Sequence, residues 1–256
     1  PPRGTLPLCQ VNFGVVAQNA EFLIKSASSE FDLSLLDSFL YPDFRIAGWG
    51  LPGHGEAKES CGQFRIKGCL HTEDHPGGLG VFSPYRKCCY SPKCPEDWAY
   101  WAFREAERAE FRILKAMEND PSLGLPFHFV VSAPKWLWHE DLEVLRRQAT
   151  AIAKEAGIKG GCELPHHVRL DRKTGLWEIG VHFHGVGFGW VQKTASIYKK
   201  HGWIVKNLGV RTNVLGTLFY QLSHCAVWYG EGRKHSVTWF GVLSYNNGKK
   251  LGLYPM

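Results

Sequence analysis

Apolar and polar positions alternate through residues 177–190. Trp177, Ile179, Val181 and Phe183 are apolar, and Glu178, Gly180, His182 and His184 fall between them. A period of two belongs to a half-buried strand, whose successive side chains leave opposite faces of a sheet. His182 and His184 are therefore expected on one face, where two imidazoles can share a metal ion. Gly180, Gly185, Gly187 and Gly189 leave room for a ligand or a second backbone. Asp171-Arg-Lys-Thr-Gly175 has turn composition, which predicts a hairpin of strands 161–170 and 176–188.

Helical spacing governs other segments. Trp98, Ala102, Ala106, Ala109, Ile113 and Met117 make one apolar stripe and predict a helix over 98–117, capped by Asp97. Leu142, Leu145, Ala149 and Ile152 form the buried row of a second helix over 141–156. A strand at 127–132, a short helix at 194–201, a short strand at 203–205, a longer helix at 212–229 and a strand at 236–244 complete the order. The last strand is followed by an Asn246-Asn-Gly turn. This is an α+β pattern, with helices over one face of a mainly antiparallel sheet. Asn119-Asp-Pro-Ser-Leu-Gly divides the chain into an N-terminal region, 1–120, and a second domain, 121–256. Short pieces of strand or helix are expected at 22–24 and 31–40, and a loop at Gly50-Leu-Pro-Gly-His-Gly.

Composition narrows the partners. At 256 residues with 44% hydrophobic and 21% charged content, the chain is long and apolar enough to fold. No apolar run approaches the ~18–20 residues of a membrane span. No charged-then-apolar leader opens it, so no membrane partner and a cytoplasmic location are expected. Opening on Pro1 rather than Met suggests a fragment or a processed form. The net charge is +6; nine Lys or Arg against Glu231 alone put +8 after residue 192 and leave −2 before it. Trp203, Tyr220, Trp228, Tyr229, Trp239 and Phe240 lie in that basic third, a mixture that points to nucleic acid.

Five of eight cysteines fall between Cys61 and Cys94, beside His71 and His75. That clustering favours a metal over disulfides. The four ligands expected for structural zinc are Cys61, Cys69, Cys89 and Cys94, with Cys88, His71 and His75 as substitutes.

The helix at 213–228 supplies the second half of a reaction centre. Leu215, Leu218, Phe219, Leu222, Cys225 and Ala226 share its apolar arc, and Asn213, Thr217, Tyr220 and His224 gather opposite. Tyr220 and His224 are neighbours one turn apart. An ion on His182 and His184 keeps open positions for Lewis-acid chemistry on a phosphodiester. Tyr220 is placed to attack phosphorus, forming a phosphotyrosine and freeing a 3′-hydroxyl, a step that can run backwards as strand joining. His224 is the first choice for the third ligand. Glu163 is the second, because folding about Arg172-Lys173 sets it opposite His182 or His184. His166 and His167 are weaker, although a one-residue slip reverses every side.

These segments resemble a known group. Val181-His-Phe-His-Gly-Val-Gly is similar to the His-hydrophobic-His motif of the HUH endonucleases. Phe127-His-Phe-Val-Val-Ser-Ala-Pro resembles their first-strand motif, and Tyr220-Gln-Leu-Ser-His224 their nucleophile motif. The likeness is strongest to rolling-circle replication initiators of archaeal plasmids and viruses, which tend to carry an upstream Cys cluster ending in Cys-Pro, as at Cys94-Pro95. The resemblance implies an HUH-type core preceded by a zinc-binding module. It implies a site-specific nick in single-stranded or melted DNA at a plasmid or viral replication origin, with Mn2+ or Mg2+ on His182 and His184. Tyr220 would be the nucleophile holding a 5′-phosphotyrosine, and the host replication machinery a further partner. Bacterial-type initiators often have Lys where this chain has His224, whereas HUH transposases place a metal ligand four residues after their tyrosine. A single motif tyrosine fits a one-nucleophile enzyme. Rival readings are an HUH transposase, a relaxase (whose three clustered histidines are missing from the motif), or a non-catalytic zinc-containing DNA-binding protein. A small-molecule metal hydrolase fits the basic, aromatic end poorly, and Val186 occupies the position where some nucleotide hydrolases have a third alternating histidine.

Overall fold

A computed structural model describes residues 45–69, 71–74, 76–78, 80–171 and 174–250. The pieces expected at 22–24 and 31–40, and His75, lie outside the described residues. The strands are β1 (Trp49–Gly50), β2 (Phe64–Cys69), β3 (Val81–Arg86), β4 (Phe127–Ser132), β5 (Ile158–Leu170), β6 (Trp177–Gly189), β7 (Ile204–Val210), β8 (Val227–Trp228) and β9 (Thr238–Gly241). The α-helices are α1 (Trp98–Asn119), α2 (Leu142–Glu155), α3 (Thr194–His201), α4 (Val214–Ser223) and α5 (Tyr245–Lys250). Five strands make an antiparallel sheet in the order β7-β4-β6-β5-β9, so the fold is α+β. β1 with β8 and β2 with β3 form two small ribbons.

Helices cover both faces of the sheet, not one. Against one face Leu145, Ala149 and Ile152 of α2 and Ile197 of α3 pack on Phe129, Val131 and Phe183. Against the other, Ala102, Ala106 and Ile113 of α1 and Leu218 and Leu222 of α4 pack on Cys162, Leu164, Val186 and Phe188. The middles of β5 and β6 are apolar on both sides, so each side demands a cover. Because α1 belongs to the second of these cores, the division expected at residue 120 separates no core.

Two elements differ from the periodicity. The helix expected to reach residue 229 ends at Ser223, with His224 in a non-helical conformation. The Ala226 N–H then donates to the Pro165 carbonyl, and Val227 and Trp228 pair with β1. The last strand keeps only Thr238–Gly241, and Asn246-Asn-Gly lies within α5 instead of a turn. No helix among the described residues is long and apolar enough to cross a membrane.

The β5–β6 ladder sets the site. Leu170 opposes Trp177 and Val168 opposes Ile179, but His166 opposes His182. Two residues of β5 thus span three of β6, a bulge around Gly180 and Val181. The extra residue changes which parity of β5 shares a face with His182 and His184. Beyond it, His166 and Leu164 join the histidine face, and Glu163, opposite Gly185, turns away. The ladder is also tight here. A Cβ on Gly185 would press into the Phe129 ring and lie 2.5 Å from the Cys162 carbonyl oxygen. Backbone and ring fill the space beside Gly185, Gly187 and Gly189, and the Arg169 side chain fills that beside Gly180. Gly185→Ala is expected to cost about 1–3 kcal/mol by overpacking, read as a lower urea midpoint with the slope retained.

Candidate metal centres

Three imidazoles meet on the α4 side of the sheet. His166, His182 and His184 each offer a ring nitrogen, all within 4.8 Å of one another. His182 Nδ1 lies 2.5 Å from the Gly180 carbonyl, at the bulge, so it donates there and leaves Nε2 free. His184 Nδ1 lies 2.8 Å from His128 Nε2, which likewise directs its other nitrogen to the cluster. Both nitrogens of buried His166 lack a hydrogen-bond partner. A buried polar atom left unpaired is costly, and a cation between the three rings would satisfy it.

Helix α4 brings the nucleophile candidate to the same place. The Tyr220 ring stands 4.7 Å from that of His224, and the His224 ring 4.6 Å from that of His166, centre to centre. His166, a weaker choice in the sequence, completes the three-nitrogen group, and His224, the first choice, adjoins it with its ring as near to that of His166 as the ring of His184 is. Asn213 caps α4 by accepting the Gly216 N–H at 2.8 Å. Gln221, on the buried side of the helix, sets its amide 2.9 Å from His128 Nε2 and ties α4 to β4 and β6.

Burial keeps these rings neutral. It lowers His182, and it lowers His166 and His184 well below the ordinary range, with neighbouring imidazoles adding repulsion. His224 is lowered to about 4 by burial and then by His182, and His128 to about 3 by burial and then by Arg211. Neutral imidazole is the form that ligates a metal.

Glu163 is not part of this centre. Its carboxylate accepts a 2.5 Å hydrogen bond from Thr150 of α2, on the opposite face. Burial pushes it up to about 7, opposed by that bond and by Arg146. The bulge is the physical reason the sequence count failed. His167, adjacent to His166 in an extended strand, projects from the other side.

A second group forms where the N-terminal region meets α1. Cys61, Cys89, Cys94 and Asp97 place their ligand atoms within 4.8 Å of one another. The Cys61 and Cys94 sulfurs are 3.6 Å apart, close to the ~3.8 Å required of two sulfurs bound ~2.3 Å from one tetrahedral ion. This is a potential metal-binding group compatible with structural zinc. Cys69 is not in it: it ends β2, about 17 Å along the strand from Phe64. Cys88 turns to Arg86, whose guanidinium is 3.6 Å from its sulfur. His71 is exposed and pairs with Glu73. Asp97 stands at the N-cap of α1 but makes no side-chain cap there. It accepts from Cys61 Sγ at 2.8 Å, from Arg86 at 2.7 Å and from the Cys89 N–H. Burial would raise its carboxyl, but these donors outweigh that and hold it below the ordinary range.

The basic C-terminal third looks different in three dimensions. Trp203 and Phe240 are core residues, and Trp228 packs edge-on against Trp49. Its aromatic content therefore serves packing more than an outer surface.

Cys94→Ser is expected to remove a tightly held metal ion that Cys69→Ser retains, measured by metal content after gel filtration. A pH dependence also follows. Below pH ~6.5 the unfolded histidines take up protons that the folded ones refuse, so the unfolded state binds more and stability falls on acidification. Raised Glu163 acts in the opposite sense between its ordinary value and about 7, but it is one group against five. The unfolding temperature of metal-free protein should drop steadily from pH 6.5 to pH 4, with a shallower slope in His128→Asn.

Comparisons with protein-family models, with curated proteins and with solved structures return no match to this chain.

Proposed function

We propose that the chain is an HUH-type nuclease that initiates rolling-circle replication by nicking single-stranded or melted origin DNA. The observation that supports this is the convergence of Tyr220, on α4, with the His166–His182–His184 cluster through the ring of His224. His166, His182 and His184 would hold a divalent ion, which when bound supplies Lewis-acid stabilisation of charge on the phosphodiester. With Glu163 elsewhere, the donors are all imidazole, which ranks Mn2+ above oxygen-seeking Mg2+.

Tyr220 Oη attacks the phosphorus. The new bond joins phosphorus to the phenolic oxygen, the bond to the 3′-oxygen breaks, the phenolic proton passes to solvent, and the leaving 3′-oxygen takes a proton from solvent to become a 3′-hydroxyl. One phosphodiester replaces another, so the step reverses when the 3′-hydroxyl returns. His128 and Gln221 act as positioning residues, holding His184 and α4 in register. Zinc on Cys61, Cys89, Cys94 and Asp97 would brace the region ahead of α1.

The test is incubation of labelled single-stranded oligonucleotides, tiled across the replicon that encodes the chain, with protein and Mn2+. A denaturing gel should show a boiling-resistant protein–DNA band that is absent in Tyr220→Phe. His166→Ala and His182→Ala should each lower its yield on the order of 100-fold, whereas Glu163→Gln should keep it. An adduct persisting in Tyr220→Phe would overturn the nucleophile, and no adduct from the unaltered protein would leave a non-cutting DNA-binding protein.

A further inference from the structure

The β2–β3 hairpin has no part in the chemistry above. Among the described residues its two strands pair only with each other, and its base is the Cys61–Cys89–Cys94–Asp97 group, Cys61 standing just before β2 and Cys89 just after β3. Phe64, Ile66 and Gly68 oppose Arg86, Pro84 and Phe82. Phe64, Ile66 and Phe82 consequently share a face, and they are 75%, 73% and 62% exposed. So much apolar surface on one short ribbon marks an interaction site. The Phe82 ring packs against Gly68, where a Cβ would meet it at 2.5 Å, and against Gly80, where a Cβ would meet it at 3.2 Å, yet most of the residue stays exposed. The reverse face bears exposed Arg65 and Lys67, with Lys67 Nζ 5.1 Å from the centre of the Tyr85 ring. From residue 61 to 97 the cations are Arg65, Lys67, Arg86, Lys87 and Lys93 and the acids are Glu73, Asp74, Glu96 and Asp97; Arg86 is paired with Glu96 and Asp97, and Glu73 and Asp74 sit beyond the far end of the ribbon. Exposed rings on one face and cations on the other match bases and phosphates together, where a lipid or protein groove would match the apolar face alone.

We infer that the β2–β3 hairpin is a docking surface for single-stranded DNA. Phe64 and Phe82 stack on unpaired bases, and Arg65 and Lys67 reach round the edge of a ribbon two strands wide to the phosphates. The identity of the polyanion rests on the nuclease reading; the surface itself does not.

The experiment is equilibrium anisotropy with a fluorescent 20-nucleotide oligo-dT and the full, metal-loaded chain, without added Mn2+, so that binding is read apart from cutting. Phe64→Ala with Phe82→Ala should weaken binding at least about tenfold. The double Trp replacement should retain binding, and Phe111→Ala, an exposed ring on α1, should leave it unchanged. Equal metal content across the variants shows that the base of the hairpin is intact. Unchanged affinity in the double Ala variant overturns the inference. So does equal affinity of the unaltered protein for a duplex of the same length. A Phe64- and Phe82-dependent sedimentation with phosphatidylserine vesicles, with oligonucleotide binding unaffected, would overturn it in favour of a membrane surface. Hairpin-dependent binding without any Tyr220 adduct would sink the nuclease reading and leave this one standing.

Discussion

β5 and β6 form the longest ladder among the described residues, and a single extra residue in β6 decides which of their side chains meet. Without the bulge, alternate residues of β5 that include Glu163 would face His182 and His184. With it, His166 faces them and Glu163 joins Thr150 and Arg146 beneath α2. The candidate donor set thereby changes from mixed nitrogen and oxygen to imidazole alone. The same bulge presents the Gly180 carbonyl to His182 Nδ1, so one backbone irregularity brings His166 to the cluster and orients His182.

The centre is held from two sides by buried polar contacts. His128 links β4 to His184, and Gln221 links α4 to His128. Such contacts are directional, and inside a core their loss leaves unpaired groups. Leu218 and Leu222 supply the non-directional part, seating α4 on Leu164 and Val186. Packing fixes the helix against the sheet, and the amide fixes its rotation.

Much of this was legible from residue patterns. The alternation at 177–190 placed His182 and His184 together, and the spacing of Trp98 to Met117, Leu142 to Ile152 and residues 194–201 marked three helices. The pattern was read as helices over one face, yet the apolar middles of β5 and β6, with Cys162, Leu164 and Val186 on one side and Val181 and Phe183 on the other, demand a cover on both. What was not legible depends on an offset of one residue or on contacts between distant segments. A bulge has no strong composition signal beyond Gly180, yet it exchanges Glu163 for His166. The stop of α4 at Ser223 comes from the Ala226–Pro165 hydrogen bond and the pairing of β8, both long-range. Asp97 looked like a helix cap, a correct position with the wrong partner, and only the approach of Cys61 and Arg86 reveals what its carboxylate holds. Cys69 matched by residue type and failed by geometry, since an intervening strand carries it away from Cys61.

Helix α1 joins the two halves of the molecule more strictly than a linker would. At its start Asp97 is bound into the cysteine group that carries the hairpin. Thirteen residues on, Glu110 accepts the Leu215 N–H at the head of α4. The helix rises ~1.5 Å per residue, so these two attachments are about 20 Å apart on one rod. The spacing of these two attachments is then a property of helical pitch. If the hairpin grips a strand and Tyr220 cuts it, as proposed above, the helix is a fixed gauge, and the cutting point is counted off from where the strand is held.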